Sequence, residues 1–158
     1  MKLRIALIPL ISLLLFSFKP SNDVSSEAIL KDYWLLEKVS YAEPGMYDRI
    51  ILFNDVTNLC FEQSLWRFSP TNNTGTYDIN DLYCSYGTRD LSFNIQKTNQ
   101  KTGLYDVILK TENNSKYGNL FKIKVTELSK NRMQWRYKVH VDNKPYTINM
   151  RFKRKKLE

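Results

Sequence analysis

Apolar and polar side chains alternate along most of the sequence, and this pattern constrains the fold more than any other feature. Between residues 133 and 142, every odd-numbered position is apolar or aromatic and every even-numbered position is polar. Similar, less regular runs occupy residues 65–69, 76–80, 90–96, 105–110, 121–126 and 146–153. A period of two is typical of β-strands with one face in an apolar interior and the other in water. The sequence therefore predicts an all-β protein, which its 13% aromatic content also favours.

Short links made of turn-forming residues separate these runs. They fall at 72–75, 99–103, 113–115, 129–131 and 142–145. Links this short join antiparallel neighbours, because a parallel crossover needs about a dozen residues or more. Further strands around Trp34 and at 49–53 bring the count to about eight or nine. A long sheet with one apolar face and no covering helix buries that face by closing on itself, so we predict an up-and-down β-barrel of about eight strands. A two-sheet sandwich is the alternative.

The N-terminal residues are typical of a targeting signal. Lys2 and Arg4 precede an apolar stretch at 5–18, which Pro9 interrupts. This stretch is shorter than the roughly 20 residues that span a bilayer, but it suits the core of a signal peptide. We predict a signal peptide at 1–26 with a poorly defined cleavage site, followed by a short helical turn. An uncleaved N-terminal anchor is the alternative.

The remaining chain has the length of a single domain. We predict a barrel domain at 27–152 and a basic C-terminal tail at 153–158, which begins with the cations Lys-Arg-Lys-Lys. Such a tail is usually solvated, although it could touch phosphates of lipids or nucleic acid. An exported protein rarely meets nucleic acid, so we predict no nucleic-acid partner. Membrane contact is expected to be peripheral at most, through the tail or an uncleaved signal.

Two cysteines, Cys60 and Cys84, follow the predicted signal peptide. In an oxidising compartment, an even pair of cysteines predicts a disulfide, which at this spacing would add about 3–3.5 kcal/mol of stability. His140 is the only histidine, so we predict no metal site and no cofactor. Before Cys60, Asp55 is positioned to cap a short helical turn.

Several segments resemble a known family. The opening Asp32-Tyr33-Trp34-Leu35-Leu36 is similar to the start of lipocalins, although they usually have Gly where this chain has Asp32. The segments 52–61, 64–68, 72–77, 87–89 and 145–149, together with Cys84, resemble bacterial lipocalin-like (calycin-type) exported proteins, so the resemblance covers nearly all of 30–152. It implies a barrel floor in which Trp34 lies under a basic side chain of the last strand, either Arg151 or Arg154. It also implies that the opposite end of the barrel is an open mouth.

Catalysis is not expected. His140 falls on a polar strand face, where it lacks the neighbours that nucleophilic catalysis requires. The available acids, Asp78, Asp81, Asp90 and Asp106, fall on outward positions or turns. We therefore predict that the protein is not an enzyme.

Binding of a small hydrophobic or amphiphilic ligand inside the barrel is the expected function. Aromatic walls with a few polar groups suit such a guest. The predicted inward-facing ligand-binding residues are Trp66, Phe68, Phe93, Phe121, Trp135 and Tyr137. The same rings could instead fill the barrel, since an eight-stranded barrel is just wide enough to be filled or to hold one small ligand.

An alternative function is that of a structural accessory subunit, in which the barrel binds a protein partner in a bacterial cell-envelope complex. For either function we expect an exported protein of a Gram-negative bacterium. It would be periplasmic, outer-membrane-associated or secreted.

Overall fold

The computed structural model describes residues 30–44, 49–99, 101–102, 104–112 and 120–156. The predicted signal peptide and the first residues of the helical turn after it lie outside these residues; Leu30, in the last part of that turn, is helical. Strands dominate what is described, and a short helix, α1, is Asn58–Phe61. The strands are β1 (Asp32–Tyr41), β2 (Ile51–Leu52), β3 (Val56–Thr57), β4 (Leu65–Ser69), β5 (Thr74–Ile79), β6 (Gly87–Thr98), β7 (Tyr105–Thr111), β8 (Leu120–Leu128), β9 (Arg132–Val141) and β10 (Lys144–Lys155).

Eight of these strands form a closed antiparallel barrel in the order β1-β10-β9-β8-β7-β6-β5-β4. From β4 to β10 each strand pairs with its neighbour in sequence, and β1 closes the barrel between β4 and β10. The predicted all-β fold with an eight-stranded up-and-down barrel is therefore confirmed. β2 and β3 form a separate two-stranded sheet in the connection from β1 to β4.

The alternation in the sequence becomes the inner and outer faces of this barrel. In β9, Met133, Trp135 and Val139 are buried, whereas Arg136 and Lys138 are exposed. The register shifts at three places, between Leu36 and Lys38, Ile95 and Lys97, and Val125 and Glu127. Such bulges bend the strand and increase its twist, which helps a sheet to close.

The last strand extends further than the sequence pattern predicts. Lys153 pairs with Leu35 and Lys155 pairs with Tyr33, so β10 reaches Lys155. The predicted boundary of the barrel domain at residue 152 is therefore wrong, and most of the expected basic tail belongs to the barrel. The reason is that β1 supplies a complete hydrogen-bonding partner for these residues, whose outward side chains can be charged at no cost to the core.

The connection from β1 to β4 closes one end of the barrel. Phe53 and Asn54 form the β2–β3 turn with positive φ angles of 51° and 53°, as a type I′ hairpin turn requires. The Phe53 side chain is fully buried and enters the barrel. Its ring lies 5.2 Å from the ring centroids of both Phe121 and Tyr137. Packing of this ring offsets the cost of placing a bulky residue at positive φ.

Covalent and ionic links hold this plug, residues 49–64, against the barrel. A disulfide joins Cys60 in α1 to Cys84 in the β5–β6 loop, as predicted, with a Cα–Cα distance of 5.9 Å. Asp55 accepts hydrogen bonds from Tyr77 at 2.9 Å and from Arg89 at 3.0 Å. The expectation that Asp55 caps α1 is wrong: Thr57 occupies the N-cap position and makes no side-chain capping bond, because the Asp55 carboxylate is directed to the barrel wall.

Candidate functional site

Four of the six predicted ligand-binding residues pack against one another in the barrel interior. Ring centroids are 5.5 Å apart for Trp66 and Trp135, 5.6 Å for Phe68 and Trp135, and 5.8 Å for Phe68 and Phe93. All four side chains are buried. Their distances are those of direct aromatic packing, so these rings fill the interior near the barrel axis.

The end of the barrel opposite the plug is closed by Trp34. Its indole Nε1 donates a hydrogen bond to the carbonyl oxygen of Leu30 at 3.0 Å. The guanidinium of Arg154 lies over the ring, 5.7 Å from its centroid, and forms an ion pair with Asp32 at 2.7 Å. Of the two basic residues expected here, Arg154 takes the position; Arg151 is exposed on the outer face. Successive side chains of a strand point to opposite faces, so Arg151 and Arg154 lie on opposite faces of β10.

Asp32 itself has a backbone conformation that favours glycine, with φ at 137°. This is the position at which the resemblance to lipocalins would place Gly. The aspartate therefore adds a partner for Arg154 at a strained backbone position.

Both ends of the barrel are thus covered, one by Trp34 and Arg154 and the other by the plug. The resemblance to lipocalins led us to expect an open mouth opposite Trp34, and at that end the plug inserts Phe53 instead. The hydroxyl of Thr111 donates a long, buried hydrogen bond to the Phe53 carbonyl oxygen at 3.5 Å. A ligand cannot enter along the axis without displacing these groups.

In the barrel wall, however, strands β8 and β9 diverge from each other near the plug. Among the described residues, pairing of β8 with β9 begins at Ile123 and Tyr137. The first residues of β8 are paired with β7, as in Lys122 with Ile108. A strand that pairs on one side only leaves a gap on the other, through which a side chain of the interior can reach a ligand.

An open depression of about 1080 Å³ lies along this divergence, and we call it the β8–β9 crevice. It receives residues from both faces of the wall, from strands β6 to β9 and from the plug. Its lining is Asn54, Gln96, Asp106, Val107, Ile108, Leu120, Phe121, Lys122, Ile123, Lys124, Arg136, Tyr137 and Lys138. Ligand pockets are typically about 300–1,000 Å³, so this space is sufficient for a small ligand.

Phe121 and Tyr137 are the two predicted ligand-binding residues that line the crevice. Phe121 is 7% exposed, and burial raises the pKa of Tyr137 to about 12. The Tyr137 hydroxyl is therefore neutral at physiological pH and can donate a hydrogen bond. These two residues combine an apolar surface with one polar group.

The outer edge of the crevice is cationic. Lys122 and Lys124 project from β8, and Arg136 and Lys138 project from β9; all four are exposed. Sequence reasoning missed this cluster, although a signal was present: lysine or arginine occupies two successive outward positions on each of two adjacent strands.

The groups considered for catalysis are dispersed. His140 and the carboxylates of Asp81, Asp90 and Asp106 are exposed, and Asp78 accepts a hydrogen bond from Thr88 at 2.6 Å. Within the described ranges, no group of three or more His, Cys, Asp or Glu side chains could hold a metal ion. Nor does any helix in these ranges have the length and apolar character needed to cross a membrane.

No protein-family model matches the chain, and comparison with curated proteins finds no match. The resemblance to lipocalin-like proteins therefore stays a prediction.

Proposed function

We propose that this protein is a non-catalytic, exported lipocalin-like barrel that binds a small amphiphilic ligand in the β8–β9 crevice. The observation that carries the proposal is the crevice lining, where Phe121 and Tyr137 from the interior meet polar side chains of the outer face. A ligand there can bury an apolar part while its polar part stays near water.

The packing of the barrel interior supports the crevice over the barrel axis as the binding place. Rings of Trp66, Phe68 and Trp135 are already in mutual contact, and opening a space among them would cost several kcal/mol. Binding at the crevice requires no such rearrangement.

The Cys60–Cys84 disulfide supports export, since disulfides persist in oxidising compartments. The Gly-favouring backbone at Asp32 and the Arg154 side chain over Trp34 support the lipocalin-like family. The dispersal of His140 and the carboxylates supports a role without catalysis.

Fluorescence titration with N-phenyl-1-naphthylamine, an uncharged apolar probe, tests the proposal. We expect saturable binding of one probe per chain to the wild-type protein. Ile108→Trp should weaken it at least about tenfold, because the larger ring occupies the crevice. Leu35→Trp is the matched control: Leu35 is also a half-buried aliphatic residue on the outer face, but it lies on β1 outside the crevice. Absence of saturable binding, or equal loss in the two variants, would contradict the proposal.

A second candidate function is favoured by a separate observation. The β5–β6 loop exposes Leu82, Tyr83 and Tyr86, with Tyr83 fully exposed, and the disulfide fixes this loop to α1. Exposed apolar and aromatic side chains on a rigid support are typical of protein interfaces. The structural accessory subunit of a cell-envelope complex therefore stays a proposal beside the first.

Co-migration with a solubilised envelope assembly in size-exclusion chromatography tests this second candidate. We expect co-migration of the wild-type protein and its loss in Leu82→Ser/Tyr83→Ser. Migration of the wild-type protein as a free monomer would contradict the candidate.

A further inference from the structure

We propose that the ligand of the β8–β9 crevice is an amphiphile with an oxyanion headgroup, which Lys122, Lys124, Arg136 and Lys138 bind. This inference rests on the proposed function and adds the chemical class of the ligand.

The four cations form a compact group on two adjacent strands. Lys124 pairs directly with Arg136 across the β8–β9 ladder, and Lys122 and Lys138 lie two residues further along the same outer face. Outward side chains two residues apart on a strand are separated by about 6.5–7 Å, and neighbouring strands by about 4.8 Å. Several of these cations can therefore contact the same headgroup.

This arrangement is unfavourable in the absence of an anion. Like charges directly opposite each other destabilise a sheet. Ion pairs among the described residues involve Lys38, Arg89 and Arg154, and none of the four crevice cations. Arg136 donates a weak hydrogen bond to Asn149 at 3.3 Å. An oxyanion would relieve the mutual repulsion and satisfy several donors at once.

Neighbouring acids compensate only part of this charge. Among the described residues that line the crevice, Asp106 is the one acid, and it lies opposite Lys124 in the β7–β8 register. Glu43 lies near Lys138, but its carboxylate already accepts a hydrogen bond from the backbone N–H of Thr147 at 2.9 Å. That hydrogen bond lowers the pKa of Glu43, and the positive charge of Lys138 lowers it further. An excess of positive charge is left at the crevice.

Apolar residues beside the cations select an amphiphile over a simple anion. Leu120 is 67% exposed, Ile108 is half-buried, and both line the crevice. A headgroup on the cations leaves an attached chain in contact with these residues and with Phe121. Burial of each CH₂ group of such a chain should strengthen binding roughly fourfold, and a free anion does not gain this affinity.

Isothermal titration calorimetry of the wild-type protein with four probes tests this inference. Dodecyl phosphate and dodecanoate carry different oxyanions on the same chain, dodecyl maltoside carries the chain without charge, and inorganic phosphate carries charge without the chain. The three amphiphiles are used below their critical micelle concentrations. We expect dodecyl phosphate or dodecanoate to bind at least about tenfold more tightly than dodecyl maltoside. This difference in affinity should decrease as salt is added, because salt screens the charges. The two oxyanions then show whether the headgroup is of the phosphate or the carboxylate kind.

Variants that remove positive charge test which residues bind the headgroup. Lys122→Gln/Lys138→Gln should weaken binding of the preferred oxyanion probe about tenfold and change binding of dodecyl maltoside less than about twofold. Lys153→Gln/Lys155→Gln is the matched control, because it removes the same charge from outward positions of β10 outside the crevice. Near wild-type affinity is expected for the control.

Equal affinities for charged and uncharged amphiphiles would overturn this inference and leave the proposed function intact. Equal loss in both double variants, or inorganic phosphate binding as tightly as dodecyl phosphate, would also overturn it. Absence of binding by every amphiphile would overturn both the inference and the proposed function.

Discussion

Asp32 shows how one residue can serve two opposed demands. Its backbone has a φ of 137°, which costs a non-glycine residue about 1–3 kcal/mol, while its carboxylate pairs with Arg154. We expect Asp32→Gly to be more stable than Asp32→Ala by roughly 1 kcal/mol in urea unfolding, since both variants lose the ion pair and only glycine relieves the backbone. At ordinary strand positions the order is the reverse. A more stable alanine variant would show that the backbone at Asp32 is unstrained.

The pKa of Tyr137 predicts that the free energy of unfolding depends on pH. Burial raises its pKa from 10.0 to about 12, so the folded state favours the neutral phenol. The contribution of Tyr137 to stability is complete below about pH 10 and is lost as the pH rises towards about 12. Tyr137→Phe should therefore lose less stability than the wild-type protein over this interval. Identical pH profiles of the unfolding free energy for the two proteins would contradict this assignment.

Among the structural elements, the plug depends most on a covalent link. The Cys60–Cys84 disulfide fixes α1 to the β5–β6 loop, and its removal is expected to cost about 3 kcal/mol. We expect Cys60→Ser/Cys84→Ser to lose about this amount in thermal unfolding. Alkylation of the purified protein under denaturing, non-reducing conditions should label neither thiol. Labelling of both thiols would show that the bond is absent.

The strands could be predicted from the sequence because their signal is local. Alternation at 133–142 places Trp135 inside and Arg136 outside whatever the neighbouring strand is. The end of β10 could not be predicted in this way, because Lys153 and Lys155 are held by pairing with β1. Local patterns identify the faces of a strand, whereas its ends depend on its neighbours.

The plug and the crevice had no such local signal. Phe53 lies in a turn, where a large ring normally faces solvent, and only the closed barrel offers it Phe121 and Tyr137 as contacts. The divergence of β8 from β9 depends on the register between two strands. Two of the six predicted ligand-binding residues, Phe121 and Tyr137, line the crevice because they lie beside this divergence.

The whole molecule combines a barrel filled with aromatic rings and an open crevice in its wall. The sequence could predict an interior rich in aromatic residues but not whether those rings leave a space, since that depends on how side chains from different strands meet. The rings of Trp66 and Trp135 meet directly, and both barrel ends are covered. A rigid, filled barrel leaves its wall and loops as the parts that can act on other molecules.

Amide chemical-shift mapping during titration with N-phenyl-1-naphthylamine tests most directly whether the ligand binds in the wall. Binding in the β8–β9 crevice predicts the largest shifts in 120–124 and 136–138, with small shifts at Phe68 and Phe93 in the filled interior. Largest shifts at Trp66, Phe68 and Phe93, with 120–124 unchanged, would place the ligand on the barrel axis and contradict binding in the crevice.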